Sequence, residues 1–328
     1  MTEPANPGRE MPAAAARPAV PPVVPDHELI RLIGGGGEVW LAKSILGTYR
    51  AVKIVYESSG YKRPFGGEFD GVMKFEPISR QHDGLVDILH VGGGEAVGYF
   101  YCVMELADDI ATGQNIRPEH YQPRTLAHDL SGRRHLPIGE CIRLGATIAS
   151  ALGFLHRHGL IHRDIKPGNI IFVNGFPKLA DTGLVTVMSE PSSYVGTQGF
   201  IAPEGPGTVQ ADIYSLGKVL YEISTGRDRN DYPELPANLE DNREGRDLIQ
   251  FNKIIVKACR TNPWDRYESA DDLMTALLTF QFARHDRRKQ QNRDLLTRLI
   301  TIGGIGVAIC VFAILLWRVI WLVEHSPH

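Results

Sequence analysis

The sequence predicts an α+β fold in two parts, a small sheet-rich region followed by a larger helical one, with a long apolar helix on the C-terminal side. Three observations carry this reading. From Leu29 to about Ala107, short β-rich runs alternate with glycine-containing breaks, among them Val39 to Ala42, Tyr49 to Tyr56 and Gly98 to Leu106. From Ile138 onward apolar residues recur at intervals of three and four, so Cys141, Leu144, Ile148, Leu152 and Leu155 share one helix face. Leu299 to Trp317 is 19 residues without a charge, which is long enough to cross a bilayer.

Composition narrows the function classes. A chain of 328 residues with 43% apolar content can bury a real core. Its formal net charge of -3 gives no reason to expect a nucleic-acid partner. Cys102, Cys141, Cys259 and Cys310 lie far apart with no Cys-x-x-Cys spacing, so they read as buried thiols. Among the histidines, His156 and His158 are two apart; on a helix their rings point about 200° apart, which disfavours a shared metal.

The elements follow in order. Residues 1–26 form a leader with prolines and the Ala13 to Ala16 run, which reads as disordered and lacks the apolar stretch of a signal peptide. Residues 27–107 make the sheet-rich lobe and 108–282 the helical lobe. Asp108 to Pro137, between them, is long and polar for a connection, and the sequence assigns it no role. Residues 283–298 form a basic segment with Arg284, Arg287, Arg288, Lys289, Arg293 and Arg298. By the positive-inside rule, this cluster keeps the large N-terminal part in the cytoplasm, with 299–323 as a single transmembrane helix and 324–328 outside. Trp317, Arg318 and Trp321 suit the far interface, and Gly303, Gly304 and Gly306 permit close approach of a second helix.

The segment Ile161 to Asp181, IHRDIKPGNIIFVNGFPKLAD, carries the chemistry. It resembles the catalytic and metal-binding loops of eukaryotic-type (Hanks-type) serine/threonine protein kinases, bacterial membrane-anchored members included. His162, Arg163, Asp164, Lys166 and Asn169 match the family's H-R-D-x-K-x-x-N. The resemblance implies that Asp164 is the catalytic base, Lys166 neutralises the transferred phosphoryl group, and Asn169 and Asp181 hold Mg2+ or Mn2+. Asp181-Thr182-Gly183 stands where the family has Asp-Phe-Gly, so Thr182 replaces a packing aromatic.

The same resemblance extends to both sides. Arg50 to Ile54 is similar to the family's V-A-I-K strand, making Lys53 a contact for the ATP phosphates, with Glu68 as its expected partner and Glu76 the rival. Gly34, Gly36, Gly37 and Val39 stand in a glycine-rich turn two residues shorter than the family's G-x-G-x-x-G-x-V, which predicts a weaker hold on ATP. Met104 is expected behind the adenine pocket, and the backbone of Glu105 to Ala107 along the adenine edge. Gly196 to Glu204 resembles the close of the activation segment, with Thr197 pinning Asp164 and Lys166, Asp212 holding the catalytic-loop backbone, and Arg266 pairing with Glu204.

The resemblance thus implies a two-lobed, protein-kinase-like fold. It also implies transfer of the ATP γ-phosphoryl group to Ser/Thr hydroxyls of protein substrates. Tethering in a bilayer raises local concentration, so self-association and phosphorylation of one copy by another are expected as well. A membrane-tethered pseudokinase scaffold and an aminoglycoside-type small-molecule phosphotransferase are the competing readings. The first draws on the short glycine turn and Thr182; Lys166 and the Ala202-Pro203-Glu204 element speak against the second.

Overall fold

The computed structural model describes residues 22–34, 38–56, 64–94, 97–132, 135–181, 186–187 and 196–324. Residues 1–21, Gly36, Gly37, Thr182 and the stretch 188–195 lie outside them. The chain divides into two compact units, residues up to Leu277 and Leu278 onward.

The first unit opens with β1 (His27–Leu32), β2 (Glu38–Ser44) and β3 (Tyr49–Tyr56), then α1 (Pro64–Ser79), β4 (Ile88–Gly94) and β5 (Tyr99–Met104). The five strands form one antiparallel sheet in the order β1-β2-β3-β5-β4. Alternation sends Val52, Ile54, Tyr101 and Val103 to one face, where they form a cluster with Val24 and Ala42. Lys53 and its register partners Val39 and Cys102 therefore belong to the other face. There α1 packs: Phe69 meets the ring of Phe100 edge-on at 5.2 Å, and Val72 and Phe75 are buried. Glu68 precedes Val72 and Phe75 at helical spacing, so the face that packs on the sheet also carries the carboxylate to Lys53. One boundary differs from expectation: the run Gly98 to Leu106 is a strand only over Tyr99–Met104. Pro77 lies two residues before the end of α1 at Ser79.

The helical lobe comprises α2 (Leu126–Gly132), α3 (Ile138–Arg157), α4 (Val209–Thr225), α5 (Arg243–Ala258) and the start of α6 (Ala270–Glu324). Short pairs β6 (Leu160–Ile161) with β9 (Thr186–Val187), and β7 (Ile170–Val173) with β8 (Phe176–Leu179), line its upper side. The predicted stripe Cys141, Leu144, Ile148, Leu152 and Leu155 is buried, as is most of α4. Gly145 allows α3 and α4 to touch, since a Cβ there would stand 2.7 Å from Leu220. By length and composition α3 could cross a bilayer, but 67% of its apolar window is buried, as befits a core helix.

Cys102, Cys141 and Cys259 are free and buried, and burial pushes the Cys102 and Cys259 thiols up to about 12. The segment 108–137 is not a structureless insertion: it contains α2 and a loop cross-bridged at Asp109. In the second unit the helix continues through Glu324, and Ile314, Leu315, Leu316, Trp317 and Trp321 are exposed. Most side chains of 299–323 lie outside the described set.

Candidate active site

The site is assembled on a loop whose backbone has to be forced into shape. Between β6 and β7, Arg163 adopts φ of 71°, a conformation that costs a non-glycine residue about 1–3 kcal/mol. Asp212, in the first turn of α4 and 1% exposed, compensates: its carboxylate accepts from the N–H groups of His162 and Arg163 at 2.9 Å each. His156 Nε2 lies 2.9 Å from the same carboxylate, which explains this histidine's burial. Burial alone would push the Asp212 carboxyl up; the hydrogen bond and charge of His156, with His162 and its amide, hold it below the usual carboxylate range. His162 in turn sits 3.1 Å from the carbonyl of Ala180, joining this loop to the one that carries Asp181.

From that frame Asp164 projects, 7% exposed, into a set of donors. Lys166 Nζ donates to Oδ2 at 2.7 Å, Thr197 Oγ1 donates to Oδ1 at 2.8 Å, and Asn169 Nδ2 donates to Oδ2 at 2.9 Å. Lys166 also donates to Thr197 Oγ1 at 2.8 Å, closing a triangle. A short 3-10 turn over Pro167–Asn169 places Asn169 to reach back to Asp164, whose carbonyl accepts from its amide at 2.8 Å.

Opposite, Lys53 Nζ donates to Glu68 Oε1 at 3.0 Å and to Asp181 Oδ1 at 2.9 Å. Glu76, the rival, pairs with Arg80 at 2.7 Å instead. Burial would lower Lys53, but Asp181 and Glu68 raise it above its ordinary value. For Asp181 burial acts upward, and the Lys53 ammonium beside it, with weaker help from His162 and Lys166, holds the carboxyl below the usual range. Ala180 N donates to the Asn169 carbonyl at 2.8 Å, so Asn169 and Asp181 are neighbours. Amide and carboxylate oxygens on such neighbours fit a small hard dication, which takes few protein ligands and fills its shell from phosphates and water. Among the described residues, no group of three His, Cys, Asp or Glu side chains is arranged to hold a metal by itself.

Of the remaining expected residues, Gly34 and Val39 flank a turn whose Gly36 and Gly37 lie outside the described residues. Met104 is buried at the end of β5, 51–104 being a register pair, and Leu106 and Ala107 are buried beyond it. Arg266 donates to Glu204 at 2.6 and 2.8 Å and is 3% exposed.

The sequence reading missed Lys178. It donates to Glu105 at 2.6 Å and approaches Asp87 at 3.4 Å, while the Asp87 N–H donates to Glu105 Oε1 at 2.8 Å. This part-buried triad ties the segment after β5 to β8. Its only sequence trace is a lysine inside an apolar strand, FPKL.

The protein kinase domain family matches residues 93–291, a span that begins within β4 and leaves Lys53 and Glu68 ahead of it. The chain is similar to the serine/threonine-protein kinase PrkC of Bacillus subtilis, 28% identical over 276 residues that cover 77% of this chain and 40% of that protein. It is similar to the serine/threonine-protein kinase PknB of Mycobacterium leprae, with 29% identity over 286 residues, 79% of this chain and 43% of that one. With the serine/threonine-protein kinase PknD of Mycobacterium tuberculosis it shares 30% identity over 281 residues, 76% and 39% of the two chains. The chain therefore spans roughly two-fifths of the length of these relatives.

The charge pattern makes a prediction with a definite sign. Because Asp181 is depressed in the folded protein, its pairing with Lys53 stabilises the fold above the ordinary aspartate value of about 3.9 and is lost as pH falls through the lowered folded value. Urea unfolding of the full chain and of Lys53→Met should show a stability gap that is steady near neutrality and narrows below about pH 4. A gap unchanged down to pH 3 is the contrary result.

Proposed function

The chain belongs to the protein kinase domain family, and from that premise we propose that it transfers the γ-phosphoryl group of ATP to serine or threonine hydroxyls of proteins. The observation that carries the reading is the closed triangle of Asp164, Lys166 and Thr197 facing the Lys53–Glu68 and Lys53–Asp181 pairs. In the proposed reaction the hydroxyl oxygen forms a bond to the γ-phosphorus as the bond to the ADP oxygen breaks, and the hydroxyl proton passes to Asp164. Lys166 offsets charge on the moving phosphoryl group, and Lys53, held by Glu68, orients the α- and β-phosphates. Asn169 and Asp181 are the ligands we assign to Mg2+, which supplies charge neutralisation at the phosphates. Gly34, Gly36, Gly37 and Val39 cover the phosphates, and Met104, Glu105 and Ala107 line the adenine side.

Lys166 and Thr197 favour a protein substrate over a small molecule, and the relatives named above as serine/threonine-protein kinases support the same class. Preservation of each charged pair in the cleft supports catalysis over a scaffold role. Incubating the full chain with labelled ATP, Mg2+ and a generic basic protein tests this. Asp164→Asn and Asp181→Ala should each lower incorporation at least about 100-fold, Asp164→Asn with a melting temperature near wild type and Asp181→Ala with a lower one but still a cooperative unfolding transition, because it strands the Lys53 ammonium. Near wild-type transfer by either variant removes the mechanism.

The reading extends to the bilayer. We assign 299–323 to a single transmembrane helix with the kinase domain cytoplasmic. The uncharged run Leu299 to Trp317, the unbroken helical backbone to Glu324 and the exposure of Ile314, Leu315, Leu316 and Trp317 support it. Self-association through Gly303, Gly304 and Gly306, with phosphorylation of Ser192 or Ser193 by a second copy, belongs to the same proposal. Protease added outside intact cells expressing the chain should leave the kinase domain whole. Its digestion under those conditions reverses the topology.

A further inference from the structure

The segment after β5, to which the sequence assigns no role, is tied to three places at once. Asp108, 4% exposed, accepts from the N–H groups of Asn174 and Gly175 at 2.8 and 2.7 Å, anchoring the segment to the β7–β8 turn. Asp109 closes the loop on itself, accepting from Ala111 N, Thr112 N, Thr112 Oγ1 and Gln122 N, all at 2.9 Å. Tyr121, 1% exposed, turns back to the hinge, and its hydroxyl donates to the Ala107 carbonyl at 3.1 Å. Burial pushes this phenol up, and the Asp109 and Asp108 carboxylates push it further, so it keeps its proton and acts as donor.

The third tie runs to the sheet. Arg31 in β1 donates through Nε to the Pro118 carbonyl at 2.8 Å and through Nη2 to the Tyr121 carbonyl. The β1–β2 register shifts between Leu29 and Arg31, so a bulge at Ile30 immediately precedes the residue that makes this reach. Such bulges re-aim a side chain. Arg31 stands three residues before Gly34, where the glycine-rich turn is two residues short of the resembling family's spacing.

We propose that residues 108–122 form a strap that holds β1 down beside the hinge, with Arg31 and Tyr121 as positioning residues of the nucleotide pocket. The strap takes over part of the hold on ATP that the shortened glycine turn lacks. It also commits the Ala107 carbonyl to Tyr121. The proposal rests on the ATP-dependent reading above, and its readout is separable from transfer.

The test is calorimetric titration of the full chain with ATP and Mg2+ in Tyr121→Phe and Arg31→Met, with hydrogen exchange of the unliganded protein. Each variant should weaken ATP binding about fivefold or more, the worth of one net buried hydrogen bond. Exchange should quicken over 27–32 and 116–122 while α3 stays protected. Arg31→Lys, which keeps the charge but not the two-pronged reach, should restore little. Unchanged affinity in both variants overturns the strap, as does exchange that quickens across α3 as well, which marks general destabilisation. Wild type that binds ATP without Asp164-dependent transfer defeats the kinase reading and leaves the strap standing; wild type that does not bind ATP defeats both.

Discussion

One buried carboxylate sets the geometry on which the rest of the cleft depends. Asp212 is 1% exposed, and an ionised group so buried survives only if fully hydrogen-bonded. It is satisfied by two backbone amides of the loop between β6 and β7 and by His156. Those bonds hold Arg163 at a positive φ, and that backbone turn in turn aims Asp164 at Lys166, Asn169 and Thr197. Without Asp212 the loop has no local reason to keep this conformation, since the strain at Arg163 opposes it.

Around this frame the charges come in mutually supporting pairs. Lys53 is shared between Glu68 from α1 and Asp181 from the loop after β8, so the sheet, its helix and the helical lobe meet on one ammonium. The triad of Asp87, Glu105 and Lys178 repeats the device behind the hinge. Arg266 with Glu204 does so at the base of the helical lobe, where truncating one partner would strand a buried charge. In each case residues distant in sequence are joined by charge, and the site inherits its precision from packing on both sides.

Much of this was legible beforehand, for physical reasons. The Lys53–Glu68 pairing was legible from the helical spacing of Phe69, Val72 and Met73 after Glu68; Phe69 and Val72 do pack inward, whereas Met73 is exposed. The buried stripe of α3 was legible for the same reason. Lys178 and Arg31 were invisible because their partners lie far away in sequence and no periodicity marks a side chain whose role is to reach a carboxylate or carbonyl elsewhere. The sequence assigned no role to Asp108 to Pro137, because the order of its first half comes from buried Asp108, Asp109 and Tyr121, whose partners no local pattern marks.

The central claim is that Asp212 aligns the loop carrying Asp164 for phosphoryl transfer. The most direct measurement is the steady-state rate of Asp212→Asn in the full chain, alongside its affinity for ATP with Mg2+. The isosteric amide keeps the volume but replaces one acceptor oxygen with a donor, which faces the Arg163 N–H in the Oδ1 place or the His162 N–H and His156 Nε2 in the Oδ2 place. In this variant kcat should fall at least about tenfold, as expected when the proposed base Asp164 is misaligned, while ATP affinity stays within about twofold. A variant that turns over at the wild-type rate contradicts the claim.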